Sequence, residues 1–294
     1  MTDEPPAGVD PVATPTSDVE PDDLAAPDDD PEAAPTPDVA PEDAALATVG
    51  LTRSFGALVA VDGVDLAVPA GELRAVIGPN GAGKTTLFNL VTNAIPPTDG
   101  AVWLGGRDIT ALAEERRPHL GLARSFQANQ LFNGLTALEN VRIVAQTARS
   151  GPFGLHLLGR GRSVAVDEAV ALLDRLGLAG KADVVASNLS HGDQRRLGIA
   201  MALATDPSVL LLDEPTSGMG PTETRETAEL IEALQAELDL TMLLIEHDMS
   251  IVLSISDRIT VLNQGSVLAT GTPAEVREDE RVQAAYLGGV REAL

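Results

Sequence analysis

The sequence predicts an α/β fold: a parallel-sheet core carrying an antiparallel β subdomain and an inserted helical subdomain. Three observations predict it. Arg74-Ala75-Val76-Ile77, Val209-Leu210-Leu211-Leu212 and residues 241–245 are short, mostly apolar runs, as in strands covered on both faces. Segments of helical period separate them, and strands alternating with helices imply a mostly parallel sheet. Gly78-Pro79-Asn80-Gly81-Ala82-Gly83-Lys84-Thr85-Thr86 joins the first run to a helix over 85–93, which Pro96-Pro97 stops.

Residues 1–43 hold 14 Asp and Glu, 10 Pro and no Lys or Arg. Such a tail has too little apolar surface to offset ordering entropy, so a disordered acidic segment is expected, either merely solvating or partner-binding. The folded part, 44–294, opens with strands at 47–52 and 59–68 that turn at Phe55-Gly56. Val64, Leu66 and Val68 alternate with Asp65 and Ala67. Residues 101–104 form a further strand ending at Gly105-Gly106.

From about 127 to 188 the pattern becomes that of a helical subdomain. Thr136-Ala137-Leu138-Glu139 is a capping box opening a helix that runs to about Ala148. Residues 150–161 read as a Gly-rich loop. A second helix covers 163–176, with Val166, Ala169, Val170, Leu173 and Leu176 on one face and Gly177 after its end. The core resumes with helices at 192–204 and 221–237 around the strand that begins at Val209. Residues 258–294 form a hairpin, 258–262 and 266–269 around Asn263-Gln264-Gly265, and a helix capped by Thr272-Pro273-Ala274-Glu275. No internal repeat is present, so one core is expected.

Composition narrows the function. A length of 294 residues allows one or two domains. Without cysteine there is no disulfide framework, thiolate metal site or catalytic thiol. The first residues are acidic rather than basic and then apolar, and no apolar run reaches ~20 residues, so a soluble cytoplasmic chain is expected. A net charge of −24 argues against non-specific binding to nucleic acid; removing the tail's −14 leaves −10. Lys84 and Lys181 are the two lysines, against 18 arginines, a skew that fits either a salt-adapted or a GC-rich source.

The chemistry-bearing residues follow the strand ends. Gly78 to Thr86 fits G-x-x-x-x-G-K-[ST], a phosphate-binding loop. Its glycines let backbone N–H groups face a di- or triphosphate, at a helix N-terminus that attracts anions. Lys84 adds a point charge for the β- and γ-phosphates, and the Thr85 hydroxyl can ligate Mg²⁺. Asp213, at the end of a buried strand, can hold Mg²⁺ through water. Glu214, one residue on, can orient and deprotonate an attacking water. His247 ends the next strand, where a neutral imidazole could donate to the γ-phosphate. Gln127 lies between core and insertion and could touch both the metal and a moving subdomain. Ser190 and the N–H groups as far as Gly192 precede a helix, either as a plain cap or as a second anion site.

As an ordered set, Phe55, the 78–86 loop, Gln127, Leu189-Ser190-His191-Gly192, the 209–214 strand end and His247 resemble an ABC-type ATPase, the nucleotide-binding subunit of a transporter. The resemblance covers about residues 45–288. It implies a P-loop NTPase (RecA-like) core that binds ATP and Mg²⁺. It implies that Phe55 stacks on adenine, that Gln127 is the Q-loop residue and a metal contact, that Glu214 is the catalytic base and that His247 is the switch histidine. The Ser190 segment becomes the signature motif completing the site of a second subunit, in a homodimer or heterodimer. The implied partners are an integral-membrane permease and, indirectly, an external solute-binding protein, with no nucleic acid. The implied location is peripheral, on the cytoplasmic face of the cell membrane.

Arg124-Ser125-Phe126-Gln127 followed by Leu131-Phe132, Gly192-Asp193-Gln194-Arg195-Arg196-Leu197, Leu244-Ile245-Glu246-His247-Asp248-Met249 and Ala285-Tyr286-Leu287-Gly288 are similar to the LivG-type subunit of branched-chain amino acid importers. Related members are similar to subunits for urea or amide import and lipopolysaccharide export. A soluble ABC ATPase acting on DNA or ribosomes is disfavoured by the acidic charge and the single cassette, and a non-hydrolysing sensor by Glu214 with His247. Two departures stand out. His191 and Asp193 occupy the third and fifth places of the usual L-S-G-G-Q, and Gly220 replaces the Asp of S-A-L-D, which bears on communication between subunits. Leu131 and Phe132 are expected in an exposed groove for a permease helix, or else as core. Deleting residues 1–43 should leave folding and basal ATPase intact, because the tail has nothing to pack with. A large fall in melting temperature or turnover on truncation would show that it docks.

Overall fold

Residue alternation along the central strands sorts side chains onto two faces. In β7 (Val209–Asp213), Leu210 and Leu212 enter one core cluster while Val209 and Leu211 enter another. β8 (Thr241–Ile245) does the same with Met242 and Leu244 against Leu243 and Ile245. A strand with a two-residue period that is apolar at every position must be covered on both sides. The computed structural model describes residues 40–150 and 160–288, all within one unit, Ala34–Leu294.

The parallel sheet has the order β10-β9-β3-β8-β7-β6, with β3 at Leu73–Ile77, β6 at Leu122–Arg124, β9 at Arg258–Asn263 and β10 at Ser266–Gly271. Only β10 runs antiparallel, as the far arm of the expected hairpin. The second sheet, β2-β1-β4-β5, is antiparallel: β1 (Leu46–Phe55), β2 (Leu58–Val68), β4 (Asp99–Leu104) and β5 (Arg107–Asp108). Its Leu51, Val64 and Leu66 share a cluster with Leu87, Phe88 and Val91 of α1 (Lys84–Thr92), so this layer covers the helix that follows the glycine loop. β6 was not expected: three residues give no periodicity, and its pairing with β7 comes from the fold.

The insertion contains α2 (Ala137–Ser150) and α3 (Arg160–Arg175), which pack on α4 (His191–Leu203) through Val141, Ala145, Ala169, Leu173, Leu197 and Met201. The loop expected over 150–161 is shorter at both ends, since Ser150 closes α2 and Arg160 opens α3; residues 151–159 lie outside the described set. α5 (Pro221–Leu238) begins with Pro at its first position, as expected. α6 (Met249–Ile255) follows His247 and is capped by Asp248. The C-terminal helix is two helices, α7 (Pro273–Glu278) and α8 (Glu280–Gly288). The break falls at Asp279, whose carboxylate accepts from the Arg281 backbone at 2.8 Å and so restarts the helix.

Much of the disordered-tail expectation falls on residues 1–39, outside the described set. Residues 40–43 form a turn, with Asp43 N donating to Ala40 O at 3.0 Å, and Ala44 is buried. Arg117, 1% exposed, ties the end of α1 to the chain after β5. It donates to Ile109 O at 2.9 Å and to Leu112 O at 3.2 Å, and to Val91 O, a carbonyl that the end of α1 leaves open. Burial pulls its pKa down to about 10, which leaves it charged at neutral pH.

The pairing of Leu131 with Phe132 in an exposed groove is corrected. Leu131 is 5% exposed and packs in the cluster of α2 and α3, whereas Phe132 is 45% exposed. Phe132 lines an open groove with His119, Ile143, Val144 and Thr147. Leu131→Ser should therefore cost about 2–5 kcal/mol, as for large-to-small core changes. Phe132→Ser should stay within about 1 kcal/mol. Urea unfolding of the two variants separates these outcomes, and equal losses would place both side chains in the core.

Candidate functional site

Register aligns the strand ends. Val76 of β3 pairs with Ile245 of β8, Asp213 of β7 pairs with the same Ile245, and Ile77 pairs with Val261 of β9. Parallel strands in step deliver their C-terminal residues to one edge, where α/β proteins bind ligands.

The glycine loop sits there for two reasons. Gly78 has φ +152°, and a Cβ on it would come within 2.2 Å of Leu262 O on β9. Gly83 has φ +101°, and its Cβ would meet Ala60 O on β2 at 2.5 Å. The loop is thus wedged between both sheets, and only glycine permits the backbone that exposes its N–H groups. The β9–β10 turn clamps it: Gly265 N donates to Ala82 O at 3.1 Å, and Asp62 N to Gly265 O at 2.9 Å.

Lys84 is 6% exposed. Its ammonium donates to Gly78 O at 2.6 Å and Pro79 O at 3.0 Å, and among the described residues no carboxylate lies within ion-pair distance. Burial lowers its pKa, and the Glu214 carboxylate partly restores it. A buried cation held by two carbonyls keeps one N–H for an anion. A cleft of about 480 Å³ opens over it, lined by Asn80, Gly81, Thr85, Thr86, Glu214 and His247 among others.

Asp213 and Glu214 face different surroundings, as their adjacency at a strand end requires. Asp213 Oδ2 accepts from Arg124 Nη2 at 2.5 Å, and Arg124 Nη1 also donates to Asn89 Oδ1 at 2.7 Å. Glu214 has φ +49°, a left-handed conformation that strains a non-glycine residue. Its backbone is fixed on both sides: its N–H donates to Ile245 O at 2.9 Å, and its carbonyl accepts from the Arg195 guanidinium. Its Oε1 lies 2.7 Å from His247 Nε2. The neighbouring Glu246, 4% exposed, accepts from Thr216 N at 2.8 Å, Thr216 Oγ1 at 2.6 Å and His247 N at 3.0 Å. That buried carboxylate fastens the loop after Glu214 to His247.

Gln127 is exposed and lines a second cleft with Thr85, Asp213, Glu214 and His191. Phe55 is 46% exposed with the Arg53 guanidinium 4.6 Å from its ring centre, and Leu58 and Val59, not Phe55, line the Lys84 cleft. Ser190 caps α4, accepting from Asp193 N at 3.1 Å, and Gly192 is buried. Neither residue lines the two clefts. Arg124, Arg195, Glu246 and Lys181 were not singled out from sequence. The first three lie within quoted motifs, and their signal was a charge with no assigned partner.

A family model described as ABC transporter matches residues 61–217, and one described as branched-chain amino acid ATP-binding cassette transporter matches 266–292. The chain is 45% identical to the high-affinity branched-chain amino acid transport ATP-binding protein LivG of Salmonella typhimurium, over 83% of this chain and 97% of that protein. The crystal structure of the ADP conformation of MJ1267, an ATP-binding cassette of an ABC transporter, aligns with TM-score 0.73 and 30% identity, covering 83% of this chain and 98% of that one. A dimeric post-hydrolysis structure of the cassette MJ0796 with ADP and Pi aligns at TM-score 0.67 and 26% identity, covering 78% and 98%. The chain belongs to the ABC transporter family, as an ATP-binding subunit that hydrolyses ATP to drive transport.

Proposed function

We propose that Glu214 is the general base for ATP hydrolysis and that the energy drives import of branched-chain amino acids or similar small solutes through a separate permease. The carrying observation is that Glu214, His247 and Lys84 share one cleft, with Glu214 Oε1 2.7 Å from His247 Nε2. Lys84 and the loop N–H groups hold the phosphates. Glu214, fixed in a strained backbone, accepts a proton from the attacking water, and His247 orients that carboxylate and the terminal phosphate. Thr85, Asp213 and Gln127 would hold Mg²⁺. One carboxylate with neutral oxygens suits an ion that keeps water and phosphate ligands, and Arg124 engages only Oδ2 of Asp213. Bound there, the ion would neutralise charge developing on the phosphates.

The cargo rests on the match of residues 266–292 and on the likeness to LivG. Phe132 and its groove supply an exposed apolar patch for a permease helix. Among the described residues no helix is long and apolar enough to cross a membrane, which suits a peripheral subunit on the cytoplasmic face. Two subunits, alike or different, would face each other so that Ser190 and the start of α4 meet the terminal phosphate on the partner's Lys84 loop. The position of Ser190 away from its own Lys84 cleft supports this, as does the dimeric MJ0796 structure.

Glu214→Gln should retain ATP binding and lose at least about a hundredfold in turnover, the usual contribution of a general base. Steady-state hydrolysis within a few-fold of the unaltered chain would remove Glu214 from that role. In cells lacking this subunit, uptake of labelled leucine should return with the unaltered chain and not with Glu214→Gln. Uptake indifferent to both would reject the cargo.

A further inference from the structure

We infer that Lys181 is a positioning residue for hydrolysis: its ammonium neutralises Asp193, so that Ser190 and the start of α4 can receive the terminal phosphate held by a second subunit. The inference rests on the two-subunit reading above and extends it to a residue outside the signature segment.

Asp193 stands in the first turn of α4, where the helix carries about half a positive charge. A carboxylate there suits an isolated helix and opposes a polyphosphate. On its own it would make the helix start net negative, at the place where an anion must dock. Lys181, in the single helical turn Ala179–Lys181, reverses this. Its Nζ lies 2.5 Å from Asp193 Oδ2. With the cation in place the balance returns to the helix's own positive end.

The same oxygen takes a second hydrogen bond, from Ser190 Oγ at 2.8 Å. Ser190 therefore gives its proton to Asp193 while its oxygen accepts from Asp193 N at 3.1 Å. To donate to a phosphate, the hydroxyl must turn away and leave Oδ2. The Asp193 side chain is 11% exposed, so an abandoned oxygen would have little water to turn to. Lys181 keeps it satisfied, and its own side chain, 46% exposed, needs no burial to do so. Burial alone would raise the Asp193 pKa. The hydrogen bonds from Lys181 and Ser190 and the charges of Lys181 and Arg196 outweigh that, and the carboxylate is held below its ordinary value. It is thus a full charge that some cation must cancel. Lys181 is one of two lysines in the chain, and the other is Lys84.

The test uses the full chain carrying Glu214→Gln, with ATP-dependent dimer formation read by sedimentation at varied ATP. Lys181→Met should raise the ATP needed for half-dimerisation by about tenfold, since like charges brought together across an interface weaken it strongly. Lys181→Arg should stay within about threefold. Adding Asp193→Asn to Lys181→Met should restore dimerisation to within about threefold, because the charge to be cancelled is gone. Binding of a fluorescent ATP analogue to the monomer should be unchanged throughout. A merely structural lysine would lower the melting temperature and would not be rescued at Asp193. Lys181→Met dimerising like its parent, or failing to recover with Asp193→Asn, overturns the inference while the two-subunit reading stands. Ser190→Arg dimerising normally overturns that reading, and the inference with it.

Discussion

Burial of the Lys84 ammonium is the constraint on which the remaining architecture turns. A charge with 6% exposure is unfavourable unless it is solvated by protein or by a bound anion. Here two carbonyls of the glycine loop do the first part, so the loop must curl back over its own lysine. That curl brings backbone within van der Waals reach of β9 on one side and β2 on the other, where Gly78 and Gly83 leave no room for a side chain. The antiparallel sheet is therefore more than a cover for α1. Its Ala60 carbonyl and the β9–β10 turn fix the loop, and with it the place of the Lys84 ammonium.

The same edge shows how one strand end serves two purposes. Asp213 and Glu214 are neighbours in sequence, yet a half-buried arginine takes one carboxylate and an exposed histidine the other. The division needs more than strand alternation. Glu214 leaves the strand in a left-handed conformation, which costs on the order of 1–3 kcal/mol. Arg195, the bond to Ile245 and the buried Glu246 hold the surrounding backbone in place. Strain restrained from several elements is what allows a carboxylate to be aimed rather than merely exposed.

The central strands, the glycine loop, both insertion helices and the hairpin were legible because each carries its own local signal: apolar runs, a motif, a capping box, a turn. β6 was not legible, being three residues whose strand character exists only beside β7. The split of the C-terminal helix hinged on a side-chain bond at Asp279 that no periodicity shows. Leu131 and Phe132 are adjacent and equally apolar, so sequence gave no way to send one inward and the other outward. In the site, the residues that meet phosphate in the resemblance could be named in advance. Their positioning partners could not, because Arg124, Arg195 and Lys181 reach 89, 19 and 12 residues along the chain.

Those partners also show how the start of α4 is joined to the Lys84 cleft of the same chain. α4 begins at the Ser190 cap, where Asp193 and Lys181 set the local charge. One turn later Arg195, on the same helix, grips the Glu214 carbonyl. Glu214 then meets His247, whose N–H is held by Glu246 together with the loop after Glu214. The helix start that lies outside the Lys84 cleft and the carboxylate inside it are thus parts of one rigid element and its direct contacts. A helix turn does not stretch, so the placement of the α4 start and the aim of Glu214 cannot be set independently. The Asp193 departure from the usual signature therefore falls at a position whose charge must be compensated locally. A shift of the helix to relieve it would move Arg195, two residues along, and with it the backbone of Glu214.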